Sequence, residues 1–485
     1  MPLGRIRLAA FLLFLPGVLT GQLERSSANP RYYAYRGQPR VLLGAGQVLV
    51  IGDSRGLDAL VANGGNYARL WHHVPGAGRP LPWLRLSDGR YDLERWDEGY
   101  WTGLRELLRR ASERSVIVSV PIWNQPGLEA APEDRWPGHP FNPANNVNGL
   151  DLPAREAVPE FFDLANARLL ALQDGYVERL AAELCAFDNV IVEITNEYTG
   201  PPAWEERWMD RVSAACPRAP IAQNRLPGPA PRYWTETRLD QVNYHNLRAE
   251  DVFDTFAANH RHGKVQHYDE QALGRQSERD IRRMAWGAVL GGGGINWDQS
   301  GNPEVTPGTS RALAAFLAGS GMDVVRARPD RSLLSPGFAL VRDGQEVAGY
   351  VPEGDRVSLD LGAWPGSFRL RWFDPARGTF GEAVTLEGGA RRTLAVPGDG
   401  DAAFHLTRAV AARSAIWGDL DRDGAVTTRD ALLVLWIVDG RRRGDPDDSA
   451  GDVDGDGRIG LQDARTILGH AVGLEPSASR AGHSR

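Results

Sequence analysis

Lysine is almost absent from this chain: Lys264 stands alone among 55 basic residues. A Gly-Lys-Ser/Thr phosphate loop is therefore excluded, and Schiff-base chemistry would have one amine to draw on. Cysteine is nearly as scarce. Cys185 and Cys216 are too few for a disulfide scaffold or a cysteine zinc cluster; one bridge in an oxidising compartment and two inert thiols stay open as alternatives. Beyond the N-terminus, no run reaches the roughly 18 apolar residues that a membrane-spanning helix needs. A positive excess is also missing. The net charge is −7, so no basic footprint for nucleic acid exists. Residues Gly418 to Glu475 carry 13 acidic and 7 basic side chains, which places nearly all of the negative excess in one C-terminal segment.

What remains is an ordinary globular composition, 42% hydrophobic and 24% charged, in a chain of 485 residues. At roughly 100–200 residues per domain that length predicts two to four domains. Arg5 and Arg7 precede an apolar run from Leu8 to Leu19, and the polar stretch Gly21–Asn29 follows. A positive start before an apolar stretch of about 7–15 residues is the pattern of a signal peptide. Residues 1–28 are read as that signal, and the mature protein as secreted, extracellular or attached to a cell surface.

From residue 29 to 323, short apolar runs alternate with amphipathic ones. The runs are Val41–Val50, Tyr67–Trp71, Val116–Trp123, Val190–Thr195, Pro220–Gln223, Val242–His245, Val265–Tyr268 and Gly293–Trp297. Helical sequence such as Tyr100–Glu113, Ala165–Phe187 and Trp204–Ala215 lies between several of them. Eight strand candidates, most followed by a helix, predict an α/β fold: a parallel (β/α)8 barrel of about 250 residues or slightly more. Residues 324–408 change texture, with short alternating runs separated by Gly, Pro and Asp turns, and predict a small antiparallel β-sandwich. A linker over 409–417, an acidic module over 418–475 and a tail over 476–485 complete the chain.

The acidic module contains a repeat. Asp419-Leu-Asp421-Arg-Asp423-Gly424, ending at Asp430, recurs as Asp452-Val-Asp454-Gly-Asp456-Gly457, ending at Asp463. Hard Ca²⁺ takes about 6–8 oxygens, and a twelve-residue loop supplies them from positions 1, 3, 5, 7, 9 and 12 around a Gly at 6. Both copies fit that spacing, with Thr427 at position 9 of the first, so two structural Ca²⁺ sites are expected. Two such loops, each followed by one apolar helix, resemble the dockerin domain of bacterial carbohydrate-degrading systems. That resemblance implies a cohesin-type scaffold partner.

In a barrel of this class the active site lies at the C-terminal ends of the strands. Two candidate strands close on glutamate: Val190 to Glu197 is the fourth, and Val265 to Glu270 the seventh. Retaining glycoside hydrolysis uses two carboxyls about 5–5.5 Å apart, one as acid and base and one as nucleophile. Ile-Thr-Asn-Glu followed by an aromatic at the end of a fourth strand resembles the clan A glycoside hydrolases. The resemblance implies Glu197 as acid/base, Asn196 as a ligand of the sugar 2-hydroxyl and Glu270 as nucleophile. Arg69, Tyr244, His245 and Trp297 match further positions, and Trp71 and Trp123 are candidate sugar platforms. Trp372-Phe-Asp-Pro-Ala-Arg-Gly378 resembles a segment of the β-domain appended to such hydrolases. No catalytic cofactor is expected.

Each assignment has a plainer rival. Asp269 adjoins Glu270, so a slip of one residue changes the nucleophile. Glu193 reads as a barrel-core carboxylate. Gly52-Asp53-Ser54 resembles the first block of Gly-Asp-Ser esterases, but none of the ten histidines follows an Asp at the offset that would activate the serine. A non-catalytic carbohydrate-binding or adhesive surface protein on a barrel scaffold is the remaining alternative to a hydrolase.

Overall fold

The computed structural model describes residues 22–46, 49–53, 55–72, 80–130, 135–270, 276–297, 305–398, 400–409, 416–421, 424–439 and 446–474. The signal-peptide run, Ser54, His73 and Asp423 therefore lie outside the described residues. Residues up to 408 form one compact unit and residues from 409 a second.

In the first unit, seven parallel strands follow one another in chain order: Tyr67–Arg69, Ile117–Asn124, Val190–Asn196, Ile221–Asn224, Gln241–His245, Val265–Glu270 and Gly294–Ile295. The segment around Leu43 closes the curl. Leu43 bridges Ile295 in parallel, and its carbonyl accepts from Asn66 and Tyr67 on the other side at 2.8 and 3.1 Å. The result resembles a (β/α)8 barrel, and all eight apolar runs of the sequence take part in it. Closure demands close approach. A Cβ on Gly294 would stand 2.6 Å from the Leu42 carbonyl oxygen and 2.7 Å from the His267 ring, so only glycine lets the last strand meet the first.

Helices follow most of the strands and bury one face on the sheet, as in Glu98–Glu113, Ala167–Leu184, Pro202–Ala215 and Glu278–Leu290. Their starts are specified locally. Asp97 and Asn166 accept from first-turn N–H groups, and Ser277 and Asp280 cap each other reciprocally. The crossover after Ile221–Asn224 has only a short 3-10 turn, Pro231–Trp234. A hairpin of Trp83–Arg85 and Tyr91–Trp96 is inserted after the second barrel position.

Residues 328–408 form two antiparallel sheets, of six and three strands. They enclose a core that includes Leu359, Phe368, Leu370 and Phe404. The larger sheet also shares a core with the barrel. Trp286 of the Glu278–Leu290 helix stacks on Tyr350 with ring centroids 5.5 Å apart. Four residues before Trp286, the guanidinium of Arg282 donates to both oxygens of Asp401, whose second oxygen also accepts from the Tyr350 hydroxyl at 2.8 Å. Cys185 and Cys216 are joined in a disulfide, with Cα atoms 5.4 Å apart. No helix among the described residues is long and apolar enough to cross a membrane.

Among the described residues of the second unit are two α-helices, Thr428–Val438 and Leu461–Ala471, packed through Leu420, Ala431, Val434, Ala464 and Ile467. An acidic loop precedes each helix.

Candidate active site

The barrel interior is lined by charge rather than by apolar side chains alone. Arg69, on the Tyr67–Arg69 strand, is fully buried. Its Nε lies 2.9 Å from Glu193 Oε2 and 3.1 Å from Asp269 Oδ2, its Nη2 donates to Asn196 Oδ1 at 2.8 Å, and its Nη1 stands 3.6 Å from Glu270 Oε2. Asp269 also accepts from the Tyr67 hydroxyl at 3.1 Å and from Asn243 Nδ2 at 3.0 Å. Burial works against its charge, but Arg69 and the His267 hydrogen bond hold its carboxyl well below the usual range. Glu193 is shifted upward by burial, with Arg69 opposing. Both are core carboxylates.

Glu197 and Glu270 occupy a different position. Glu270 ends its strand and Glu197 directly follows the Val190–Asn196 strand, and their side chains keep 16% and 20% of their surface open. Between them lies His245, wholly buried, with Nδ1 3.3 Å from Glu197 Oε1 and 3.5 Å from Glu270 Oε2. One oxygen of each glutamate and a nitrogen of His245 all fall within 4.8 Å of one another.

Local backbone irregularities produce this convergence. Strand side chains alternate between faces, so Asp269 and Glu270 would ordinarily point to opposite sides. The pairing of Gln241–His245 with Val265–Glu270 slips between Tyr244 and His245: Tyr244 pairs with Tyr268, but His245 pairs with Glu270. The extra residue is Asp269, and the bulge brings both carboxylates towards Arg69. Glu197 has φ +52° and Asn246 φ +58°, left-handed conformations that non-glycine residues seldom adopt outside over-determined sites. The N–H of Glu197 donates to Asn224 Oδ1 at 2.8 Å, and that of Asn246 to the Glu270 carbonyl at 3.1 Å.

The remaining expected residues divide. Asn196 is buried, accepting from Arg69 and donating to Asn124 Oδ1 at 2.9 Å. Trp71 is partly exposed, with the Arg69 guanidinium 5.8 Å from its ring. Tyr244 is not in the site: its side chain faces the helical layer, where its hydroxyl donates to Gln266 and accepts from Asn259. Alternation along the strand sends Tyr244 outward when His245 turns inward. Trp123 is not a sugar platform either. It is packed by Phe141, Phe161, Tyr176, Trp204 and Trp208. Trp297 is fully buried, and its indole N–H donates to Ser310 at 3.1 Å, so it presents no open face for stacking. Asn124 and Asn224 escaped the sequence reading, although both are polar residues closing barrel strands, the same signal that singled out Asn196.

Electrostatically, burial raises the Glu197 carboxyl, but the His245 hydrogen bond and charge outweigh it and leave the net shift downward. Burial lowers His245, yet the Glu197 hydrogen bond and the Glu270 charge leave it raised. The downward shift at Glu197 is opposite to the direction expected of a resting general acid.

In the second unit, Asp419, Asp421 and Asp430 bring carboxylate oxygens within 4.8 Å of one another, as do Asp452, Asp454 and Asp463. Asp419 Oδ1 is buried without a hydrogen-bond partner among the described residues. Thr427 and Asp456, the two other expected ligands among the described residues, make local hydrogen bonds. Thr427 caps the Thr428–Val438 helix, donating its hydroxyl to Asp430 Oδ2 at 3.0 Å. Asp456 turns its Oδ1 to the N–H of Arg458 at 2.8 Å.

A family described as a domain of unknown function, DUF6298, matches residues 72–217. Among curated proteins nothing matches. A glycoside hydrolase family 5 protein from Bacteroides vulgatus ATCC 8482 is similar in structure, with TM-score 0.60 and 14% identity over 80% of this chain and 94% of that one. A second solved structure, described as a glycoside hydrolase, gives TM-score 0.59 and 12% identity over 80% of this chain and 97% of that one. What this chain has in common with these glycoside hydrolases is their fold.

Proposed function

We propose that the protein is a secreted retaining glycoside hydrolase acting on O-glycosidic bonds of a polysaccharide or oligosaccharide. The observation that carries this reading is the approach of Glu197 and Glu270 at the rim of a barrel, their nearest oxygens within 4.8 Å. Retaining enzymes place the two carboxyl groups about 5–5.5 Å apart and inverting ones about 6.5–9.5 Å, and an approach of the nearest oxygens to within 4.8 Å fits attack by a carboxylate. Glu197 protonates the glycosidic oxygen while Glu270 attacks the anomeric carbon. Glu197 then takes a proton from the water that releases the sugar from Glu270. Arg69 holds the attacking carboxylate, and His245 lies between the two.

Replacing Glu270 by Gly tests the assignment: turnover on a polysaccharide panel collapses, and azide partly restores it as a glycosyl azide. A variant with wild-type rate sinks the reading. The rival, a non-catalytic carbohydrate-binding protein, draws on the lowered Glu197 carboxyl and predicts oligosaccharide binding with no cleavage by the wild type.

Export is supported by the Cys185–Cys216 disulfide, since such bonds persist in oxidising compartments. The acidic module is read as a dockerin-like tether with one Ca²⁺ on Asp419, Asp421 and Asp430 and another on Asp452, Asp454 and Asp463, and a cohesin-type scaffold as its partner. Bound there, Ca²⁺ would hold each loop against its helix.

A further inference from the structure

We propose that Glu197, His245 and Glu270 form a binding site for one Zn²⁺-like divalent cation at the barrel rim. The geometry is specific. Zn²⁺ binds imidazole nitrogen and carboxylate oxygen at about 2.0–2.2 Å, and a tetrahedron of that size has edges of about 3.3–3.6 Å. The two edges from His245 Nδ1 measure 3.3 and 3.5 Å, and the third ligand pair lies within 4.8 Å. A small rotation of one carboxylate completes the face.

The donor set selects the metal. Two carboxylates and an imidazole suit Zn²⁺, whereas Ca²⁺ needs about 6–8 oxygens and finds a nitrogen here instead. His245 is entirely buried with Nδ1 aimed between the two glutamates. The partly open side of Glu197 and Glu270 leaves the fourth position to water or ligand. The charges around the site are mixed: Arg69 faces Glu193, Asp269 and Glu270 together, and Glu197 adds a carboxylate that feels both Arg69 and Arg135.

Occupancy engages the two oxygens that hydrolysis needs, so Zn²⁺ inhibits competitively with the glycan. This last consequence rests on the hydrolase reading; the binding does not. The test is calorimetric titration of the full chain with Zn²⁺, with Ca²⁺ in excess to fill the acidic loops. One equivalent binds to wild type, and His245→Ala weakens it by at least about tenfold, a loss that even removal of a supporting residue produces at metal sites. Because His245→Ala removes a buried side chain, Glu270→Gln serves as a near-isosteric second variant, and Co²⁺ gives visible bands of tetrahedral type in wild type that Glu270→Gln loses. Equal Zn²⁺ affinity in wild type and both variants overturns the site while leaving the hydrolase standing. One-equivalent binding lost in the variants, with no cleavage of any glycan, keeps the site and removes the hydrolase.

Discussion

The backbone N–H of Glu197 is held by the Oδ1 of Asn224 at 2.8 Å. Asn224 is itself fully buried and donates to the Asn243 carbonyl, so the left-handed turn that aims Glu197 is fixed by the neighbouring strand. Asn224→Ala frees that turn. A displacement of about 1 Å costs on the order of 10²-fold in rate. The loss falls on protonation, so kcat drops far more for glycosides with poor leaving groups than for activated aryl glycosides. Equal losses on both substrate types would show that Asn224 acts only on stability.

Asp269 and Glu270 are neighbours with opposite expected phenotypes. Asp269→Asn leaves Arg69 short of a buried partner, at a cost of about 3–5 kcal/mol, read as a lower urea midpoint. Glu270→Gln, at the partly open rim, leaves that midpoint nearly unchanged and abolishes turnover. The reverse pattern would exchange the two roles.

The pH profile follows from Glu197. A general acid must be protonated, so rate is lost as pH rises through its pKa, and a carboxyl held below its ordinary value puts that loss in acidic solution. His245→Asn removes the lowering hydrogen bond and charge but leaves the burial, so the alkaline limb of kcat/KM moves to higher pH. An unmoved limb would detach His245 from the acid.

Chelation separates the units. Removing Ca²⁺ unfolds residues 418–474, seen as loss of helical signal and new protease sensitivity, and leaves hydrolysis by the barrel intact. Joint loss of both would contradict independent roles.

Reduction of Cys185–Cys216, which are 31 residues apart, releases a loop whose closure is worth about 3–4 kcal/mol in the chain-entropy description. The barrel's thermal midpoint falls accordingly, and no change on reduction would mean the bridge is absent in solution.

Much of this arrangement was legible in the sequence. The eight apolar runs sit where the strands and the closing segment are, because barrel strands are buried on both faces and read as continuous hydrophobic stretches. Glu197 and Glu270 stand out in the sequence for the same reason, as charges ending such runs, and the structure brings their oxygens together. Facing was the illegible part. A shift of one residue reverses a strand's side chains, so Tyr244 and His245 could not be told apart, and the bulge at Asp269 has no sequence mark. Trp123 and Trp297 misled because a strand-end aromatic looks alike whether open to sugar or enclosed by other rings.

The Trp286–Tyr350 stack and the Arg282–Asp401 pair join the barrel's outer layer to the adjoining sheets. A barrel cut away at residue 323 would bare an indole and strand a guanidinium without its carboxylate. Residues up to 408 therefore have to be kept together in any truncation. A cut at residue 409 instead falls between the two compact units, and is where the acidic module should be removed to study the rest alone.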